Sequence, residues 1–180
     1  MNTLLTPAAP APAISVVEPV LFESCRAVHL SLEDNSRLLQ YFERICFYPH
    51  QVIADFGEVG ESLYYIVDGE AILHNSEMGT EMEVARVQRG ELMGEMSFFD
   101  RMPRLVQIRA GKYGATVYRL SREAYERLRE EFPTGAALLL EGVIISLDHI
   151  FRRTAHYLCD LSQYLYGVTY RSSVFSKPGK

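Results

Sequence analysis

The sequence predicts an α+β fold: an antiparallel β jelly roll (a double-stranded β-helix) with flanking N-terminal helices and a long C-terminal helix. Three observations predict it. From about residue 45 to residue 120 the chain is a series of short β-rich segments separated by Gly, Pro, Asp and Asn signals, the pattern of a jelly roll or barrel. Apolar residues recur at helical spacing before this series and after it. The last helical stretch carries an apolar repeat of seven.

The elements follow in order. Residues 1–20 are rich in Ala and Pro (Pro7-Ala8-Ala9-Pro10-Ala11-Pro12-Ala13) and are expected to form a disordered, partly extended lead rather than a helix or a core. The domain proper is expected over 21–158. A short helix is expected over Phe22–Val28. Ser31 caps a firmer one, with Asp34 at the third position of the cap and Leu38, Leu39, Tyr41 and Phe42 as its apolar face. At Ile45 the period changes from helix to strand. Ile45–Tyr48 and Val52–Phe56 read as strands about a Pro49-His50 turn. Gly57–Gly60 turns the chain, and Ser62–Val67 runs back. Asp68-Gly69 reads as a tight hairpin into Glu70–His74. Asn75–Thr80 reads as a loop and Glu81–Gln88 as a half-buried strand. Leu105–Ala110 and Ala115–Leu120 complete about eight strands, with Gly111 and Gly114 flanking their turn. Ser121 caps a helix to Glu130, and Pro133 starts the long one to about Leu158. Residues 159–180 are left as a short mixed tail.

Along the long helix, Ala136, Leu140, Val143, Leu147, Ile150, Thr154, Tyr157 and Leu161 alternate spacings of four and three. This heptad seam predicts a homodimer through residues 136–161; burial against its own domain is the alternative.

Composition bounds the function. The 180 residues suffice for one domain with a good core. A net charge of −5 and the lack of a basic stripe argue against a nucleic-acid partner. Cys25, Cys46 and Cys159 lie far apart, which suits reduced thiols in a cytoplasm and not a disulfide frame, metal site or iron–sulfur cluster. No membrane-length apolar run and no secretory leader are read, so no membrane partner is expected and the cytoplasm is the default location. No nucleophile–base–orienter set is visible, so no enzyme is expected.

Candidate chemistry concentrates in Gly90–Arg104, Gly-Glu-Leu-Met-Gly-Glu-Met-Ser-Phe-Phe-Asp-Arg-Met-Pro-Arg. Gly90 and Gly94 allow positive φ or close approach of a ligand to the backbone. The residues after Gly94 can begin a helical turn whose first N–H groups point outward. Arg104 supplies a planar fork of donors suited to a phosphate, and Glu95 can accept from neutral hydroxyls. Such a set suits a ligand with one phosphate and one free sugar hydroxyl.

Ile53–Arg104 resembles the cyclic-nucleotide-binding domain of catabolite-activator-type regulators, kinase regulatory subunits and gated channels. The resemblance rests on Gly57-Glu58-Val59-Gly60-Glu61-Ser62-Leu63-Tyr64-Tyr65-Ile66-Val67-Asp68-Gly69-Glu70, on Gly90-Glu91 and Gly94-Glu95, and on Pro103-Arg104, in matching order and spacing. It implies that the backbone of Gly94 and Met96 faces a cyclic phosphate and ribose. It implies that Glu95 accepts from the ribose 2′-hydroxyl, that Arg104 pairs with the phosphate, and that Leu105 offers its backbone beside it. Counted from Pro133, the base-capping helix positions are Ile150 and Phe151. The sequence departs from the family pattern at Met93, usually Phe, at Leu105-Val106, usually small residues, and at Ile150-Phe151, which are not polar. Because some relatives of this fold hold haem, His74 and His149 are candidate ligands by position; the reading adopted is ordinary polar residues, with no cofactor and no metal.

The expected function is a stand-alone cAMP or cGMP sensor acting through a protein partner rather than DNA, since the tail is too short for a helix-turn-helix. The alternative is a degenerate domain serving as a non-ligand-binding dimeric adaptor, its pocket filled by Leu105, Ile150 or Phe151 and its Arg104 locked to Glu95 in an internal ion pair. A third reading is a regulator for another anionic or apolar small molecule.

Overall fold

Two long bent strands organise the computed structural model, which describes residues 21, 31–75 and 81–166. Helix α1 (Leu32–Leu39) leads into β1 (Glu43–Phe47), β2 (Val52–Ala54), β3 (Ser62–Asn75), β4 (Met82–Gln88) and β5 (Leu92–Met93). Helix α2 (Glu95–Asp100), strand β6 (Gln107–Ser121), helix α3 (Arg122–Glu131) and helix α4 (Pro133–Tyr166) complete the chain. All pairings are antiparallel. The sheet order is β1-β6-β3-β4, with β2 also on β6 and β5 also on β3. The expected lead over 1–20, the Phe22–Val28 helix and most of the Asn75–Thr80 loop lie outside the described residues.

Six strands replace the expected eight among the described residues. Asp68-Gly69 is not a hairpin, and Gly111–Gly114 is not a turn between strands. Both lie inside single strands, where β3 and β6 change register at Ile66/Asp68 and Gly69/Ala71. Gly69 has φ +78° and Gly114 has φ +85°, so each strand bends at a glycine. The bends coincide: a Cβ on Gly69 would lie 2.4 Å from the Gly114 carbonyl oxygen. The sheet therefore rolls over at one shared crease.

The roll creates two cores, one on each face of β3 and β6. Tyr64 and Ile66 point inward with Met93, Ile108, Ala110, Ala115 and Val117. Leu63, Tyr65 and Leu120 point to the other face, where Leu38, Phe98, Leu128, Leu139 and Val143 cover them. That period of two places a helix layer over one end of the roll.

Caps set the helix starts. Ser31 Oγ accepts from Asp34 N–H at 3.0 Å, and Ser121 Oγ accepts from Ala124 N–H at 3.2 Å. Phe132, buried at the end of α3, breaks the helix direction before Pro133. A Cβ on Gly135 would lie 2.2 Å from its ring. Arg37 of α1 stacks 4.0 Å over the same ring and donates to the Glu131 carbonyl at 3.1 Å, so α1 grips the α3–α4 joint.

Helix α4 runs past its expected end at Leu158, through Tyr166. Ala136, Leu139 and Val143 bury its first half against the roll, while Leu147, Tyr157 and Leu161 of the seam are exposed. By length and composition α4 could cross a membrane, although no such run was expected from the sequence. Asp148, Arg152, Arg153 and Asp160 interrupt it.

Candidate functional site

The candidate site is a cradle built where the Gly57–Glu61 turn meets α2. Gly57 N–H donates to the Arg104 carbonyl and Arg104 N–H to the Glu58 carbonyl, each at 2.9 Å. Val59 and Pro103 form a bridge between these two ladder bonds. The Pro-Arg pair is thus tied to the turn by backbone, and the arginine side chain is aimed by that tie.

Three residues that the sequence reading did not assign to the site hold it together. Ser97 Oγ accepts from Gly60 N–H at 2.7 Å and donates to the Met102 carbonyl at 2.6 Å. Arg122, at the start of α3, donates to the carbonyls of Gly60 and Phe98, pairs with Glu61 at 3.1 Å and lies 4.1 Å over the Phe98 ring. Gly60 gives the arginine its room: a Cβ there would lie 2.9 Å from Arg104 Nη2 and 2.9 Å from Phe98 N.

Gly94, with φ +87°, is the N-cap of α2, as the expected positive φ requires. A Cβ on it would lie 3.2 Å from the Ser62 carbonyl oxygen and 3.3 Å from Arg104 Nη1. The Arg104 guanidinium therefore rests over two glycines, Gly60 and Gly94. Arg104 is only 7% exposed, and among the described residues its guanidinium has no hydrogen-bond or ion-pair partner. A buried charge with five donors and no carboxylate within ion-pair distance among the described residues can accept an anion.

Glu95, 4% exposed, follows Gly94 on the same turn. Burial pushes its carboxyl above the ordinary glutamate value of 4.5; a hydrogen bond from its own backbone and the charge of Arg104 oppose this without cancelling it. The two side chains sense each other's charge but form no ion pair among the described residues, so the internal salt bridge of the adaptor reading is not what links them.

The raised carboxyl has a consequence for stability. A group that binds its proton more tightly when folded contributes no penalty below its unfolded value and a full penalty above its folded one. The ligand-free protein should lose stability as pH rises from 4.5 towards neutrality. Glu95→Gln should flatten that slope and raise the ligand-free melting temperature at pH 7.5 by several degrees. Melting curves at pH 5 and pH 7.5 check this; parallel slopes for the two proteins would refute it.

The remaining candidates are placed as follows. Met96 is the second residue of α2 and is 63% exposed. Leu105 is 70% exposed and Phe151 73%, so neither side chain fills a hollow. Ile150 is half-buried and lines a cleft between α4 and the β4–β5 turn. Of the histidines, His74 stands in register opposite Glu83 and Gln107, while His149 borders the same cleft as Ile150. No group of three or more metal-ligating side chains occurs among the described residues.

Comparison with known proteins agrees with this geometry. The chain is 28% identical over 96 residues to the cAMP-dependent protein kinase regulatory subunit of Mucor circinelloides f. lusitanicus, covering 53% of this chain and 22% of that protein. The chain spans about a fifth of the length of the curated relatives it matches. Among solved structures, the Thermus thermophilus catabolite activator protein superposes with a TM-score of 0.61 at 28% identity, over 74% of this chain and 61% of that one. A cyclic nucleotide-binding domain from Methylobacillus flagellatus superposes with a TM-score of 0.68 at 24% identity, over 73% and 74%, and shares the fold. The family model for the cyclic nucleotide-binding domain matches residues 44–132, the span from β1 to the end of α3 that contains the whole cradle. Residues 44–132 of this chain belong to the cyclic nucleotide-binding domain family.

Proposed function

We propose that the chain is a regulatory sensor that binds a cyclic mononucleotide, cAMP or cGMP, and acts through a protein partner rather than through catalysis or DNA. One observation carries the reading: a buried guanidinium, lacking a protein partner among the described residues, held over Gly60 and Gly94. The cyclic phosphate would take the Arg104 fork and the backbone amides after Gly94. The ribose 2′-hydroxyl would donate to Glu95, giving that buried carboxylate a second partner beside its own backbone N–H. The backbone of Met96 and Leu105 would border the same phosphate. The likeness to kinase regulatory subunits supports action on a protein. The net charge of −5 argues against a polyanion, and the reading places the chain in the cytoplasm with no cofactor and no metal.

Isothermal titration calorimetry of folded protein against cAMP, cGMP and a cyclic dinucleotide tests this. Saturable heat from a cyclic mononucleotide is expected, and heat from none of the three would defeat it.

The exposed apolar side of α4 supports a homodimer through residues 136–161. Leu147, Tyr157 and Leu161 of the seam are 37%, 68% and 52% exposed in the single chain. Sedimentation equilibrium should give twice the chain mass for the wild type and the chain mass for Leu147→Asp/Leu161→Asp. A monomeric wild type at high concentration would remove the dimer from the reading.

A further inference from the structure

The small ladder that ties the Gly57–Glu61 turn to Pro103-Arg104 has an inner and an outer face. Arg104 is buried and turns inward, over the two glycines. Its neighbours Pro103 and Leu105 alternate with it, and Val59 stands directly opposite Pro103. Val59, Pro103 and Leu105 therefore share the outer face, and all three are exposed. Phe56 and Met102, at the ends of the same two segments, are exposed as well. Apolar residues scattered singly over a surface are ordinary, but several gathered on one ladder mark a contact surface.

Three carboxylates stand around this apolar face, each held by a backbone N–H. Asp55 Oδ1 accepts from Phe56 N–H at 2.8 Å, Glu58 Oε2 from Asp55 N–H at 3.0 Å, and Asp100 Oδ1 from Met102 N–H at 2.8 Å. All three residues are exposed, and none is ion-paired among the described residues. A further bond from the Gln107 side chain holds the Asp55 carboxyl below the ordinary aspartate value, so it is charged at neutral pH. Arg101, next in the chain to Asp100, is taken up by Glu61 at 3.2 Å. The surface is apolar at its centre and negative at its edge, with its charges fixed before anything binds.

We propose that this outer face docks a basic segment of a partner protein, and that nucleotide binding on the inner face changes the affinity of the outer one. Apolar side chains of the partner would rest on Val59, Pro103 and Leu105, and its Lys or Arg side chains would pair with Asp55, Glu58 and Asp100. The inference rests on the sensor reading above and names the chemistry of its protein partner. Charge decides between the occupants. Three fixed carboxylates repel an acidic protein and an anionic bilayer alike, whereas they attract a basic segment. A second copy would bring the same negative edge against this one. The coupling follows from the ladder itself. Its two backbone bonds, from Gly57 N–H to the Arg104 carbonyl and from Arg104 N–H to the Glu58 carbonyl, are each 2.9 Å and join the two faces. A phosphate on one face and a partner on the other bias the same element, and such a coupling is reciprocal.

Fluorescence anisotropy of a labelled Lys/Leu amphipathic peptide against the full chain tests this, with a Glu/Leu peptide of the same pattern as control. The wild type should bind the Lys/Leu peptide and not the Glu/Leu one. A saturating cyclic mononucleotide should change that affinity about fivefold or more. Val59→Lys and Glu58→Lys/Asp100→Lys should each weaken peptide binding about tenfold or more. Glu126→Lys/Glu130→Lys, the same charge change at exposed positions of α3, should move it less than about twofold. Equal losses in the α3 and ladder variants overturn the proposal, as do a wild type that does not bind the peptide and an affinity indifferent to nucleotide. Uptake of the wild type by phosphatidylcholine vesicles that Val59→Lys abolishes, or a solution mass that Val59→Lys halves, would assign the face to lipid or to a second copy and also overturn it. Calorimetry with nucleotide alone keeps the two readings apart. Saturable heat from a cyclic mononucleotide leaves the sensor reading standing when the peptide fails, and heat from none removes both. Melting curves identify a variant that has not folded, and the other ladder variant then carries the test.

Discussion

Arg104→Ala should weaken cyclic-nucleotide binding about 100-fold while leaving the melting temperature of the ligand-free protein unchanged or slightly higher. The two halves of that expectation come from one fact, the burial of a guanidinium that has no protein partner among the described residues. Bonds to charged groups contribute about 1.5–3 kcal/mol each, and a bidentate phosphate contact uses two. Even the lower figure doubled gives about 3 kcal/mol, which is about 100-fold in affinity. Without ligand the same guanidinium is desolvated with little return, so its removal relieves a cost. Arg104→Lys keeps the charge but loses the fork, and its affinity should fall between the two. Calorimetry gives the affinities and differential scanning fluorimetry the melting temperatures. A folded Arg104→Ala protein that binds as wild type, or one that melts far below wild type, would show that the arginine serves the fold and not a guest.

That separation matters because the alternative, an adaptor with a filled pocket, predicts the reverse pattern. In it Arg104 would be locked to Glu95, and its loss would strand a buried carboxylate. The exposure of Leu105 and Phe151, and the lack of an ion pair between Glu95 and Arg104 among the described residues, do not favour it.

The features legible in the sequence were those that act within a few residues of themselves. Ser31 and Ser121 were readable as caps because the cap bond spans three residues. Gly94 was readable as a position open to positive φ or to close approach of a ligand, because glycine alone carries no Cβ; the structure shows the positive φ, +87°. Gly69 and Gly114 were misread because positive φ serves a hairpin and a bulge equally well; the deciding fact is their contact across β3 and β6, between residues far apart in sequence. The same limit hid the supports of the cradle. Ser97 bonds Gly60 across 37 positions and Arg122 reaches Gly60 across 62. Neither carries a local signal beyond its residue type. The placing of Glu91 and Arg153 on one cleft was hidden for the same reason.

Phe98→Ala should be the most damaging substitution for stability within the matched domain. Phe98 is fully buried on α2, with Phe99 edge-on at 5.1 Å and Tyr125 at 5.5 Å, and with Arg122 stacked 4.1 Å above. Removing a buried Phe side chain costs about 3–5 kcal/mol. At about 2–4 °C per kcal/mol for a chain of this size, the melting temperature should fall about 10 °C. Phe98→Leu, which keeps most of the volume but not the edge-to-face geometry, should cost roughly a third of that. The cavity would also loosen the seat of Arg122, whose bonds hold the Gly60 turn against α2. Because the cradle is built from those same two segments, a ligand that bridges them should return part of the loss. A nucleotide present at about 100 times its dissociation constant adds about 2.7 kcal/mol to whichever protein it binds. Phe98→Ala should therefore bind more weakly than wild type, since part of the binding energy goes to closing the loosened cradle, yet still melt higher with nucleotide than without. Melting temperatures with and without nucleotide, for wild type and both Phe98 variants, decide the matter. If Phe98→Ala binds nucleotide as tightly as wild type despite its lower melting temperature, the ring supports the fold alone and the cradle does not depend on it.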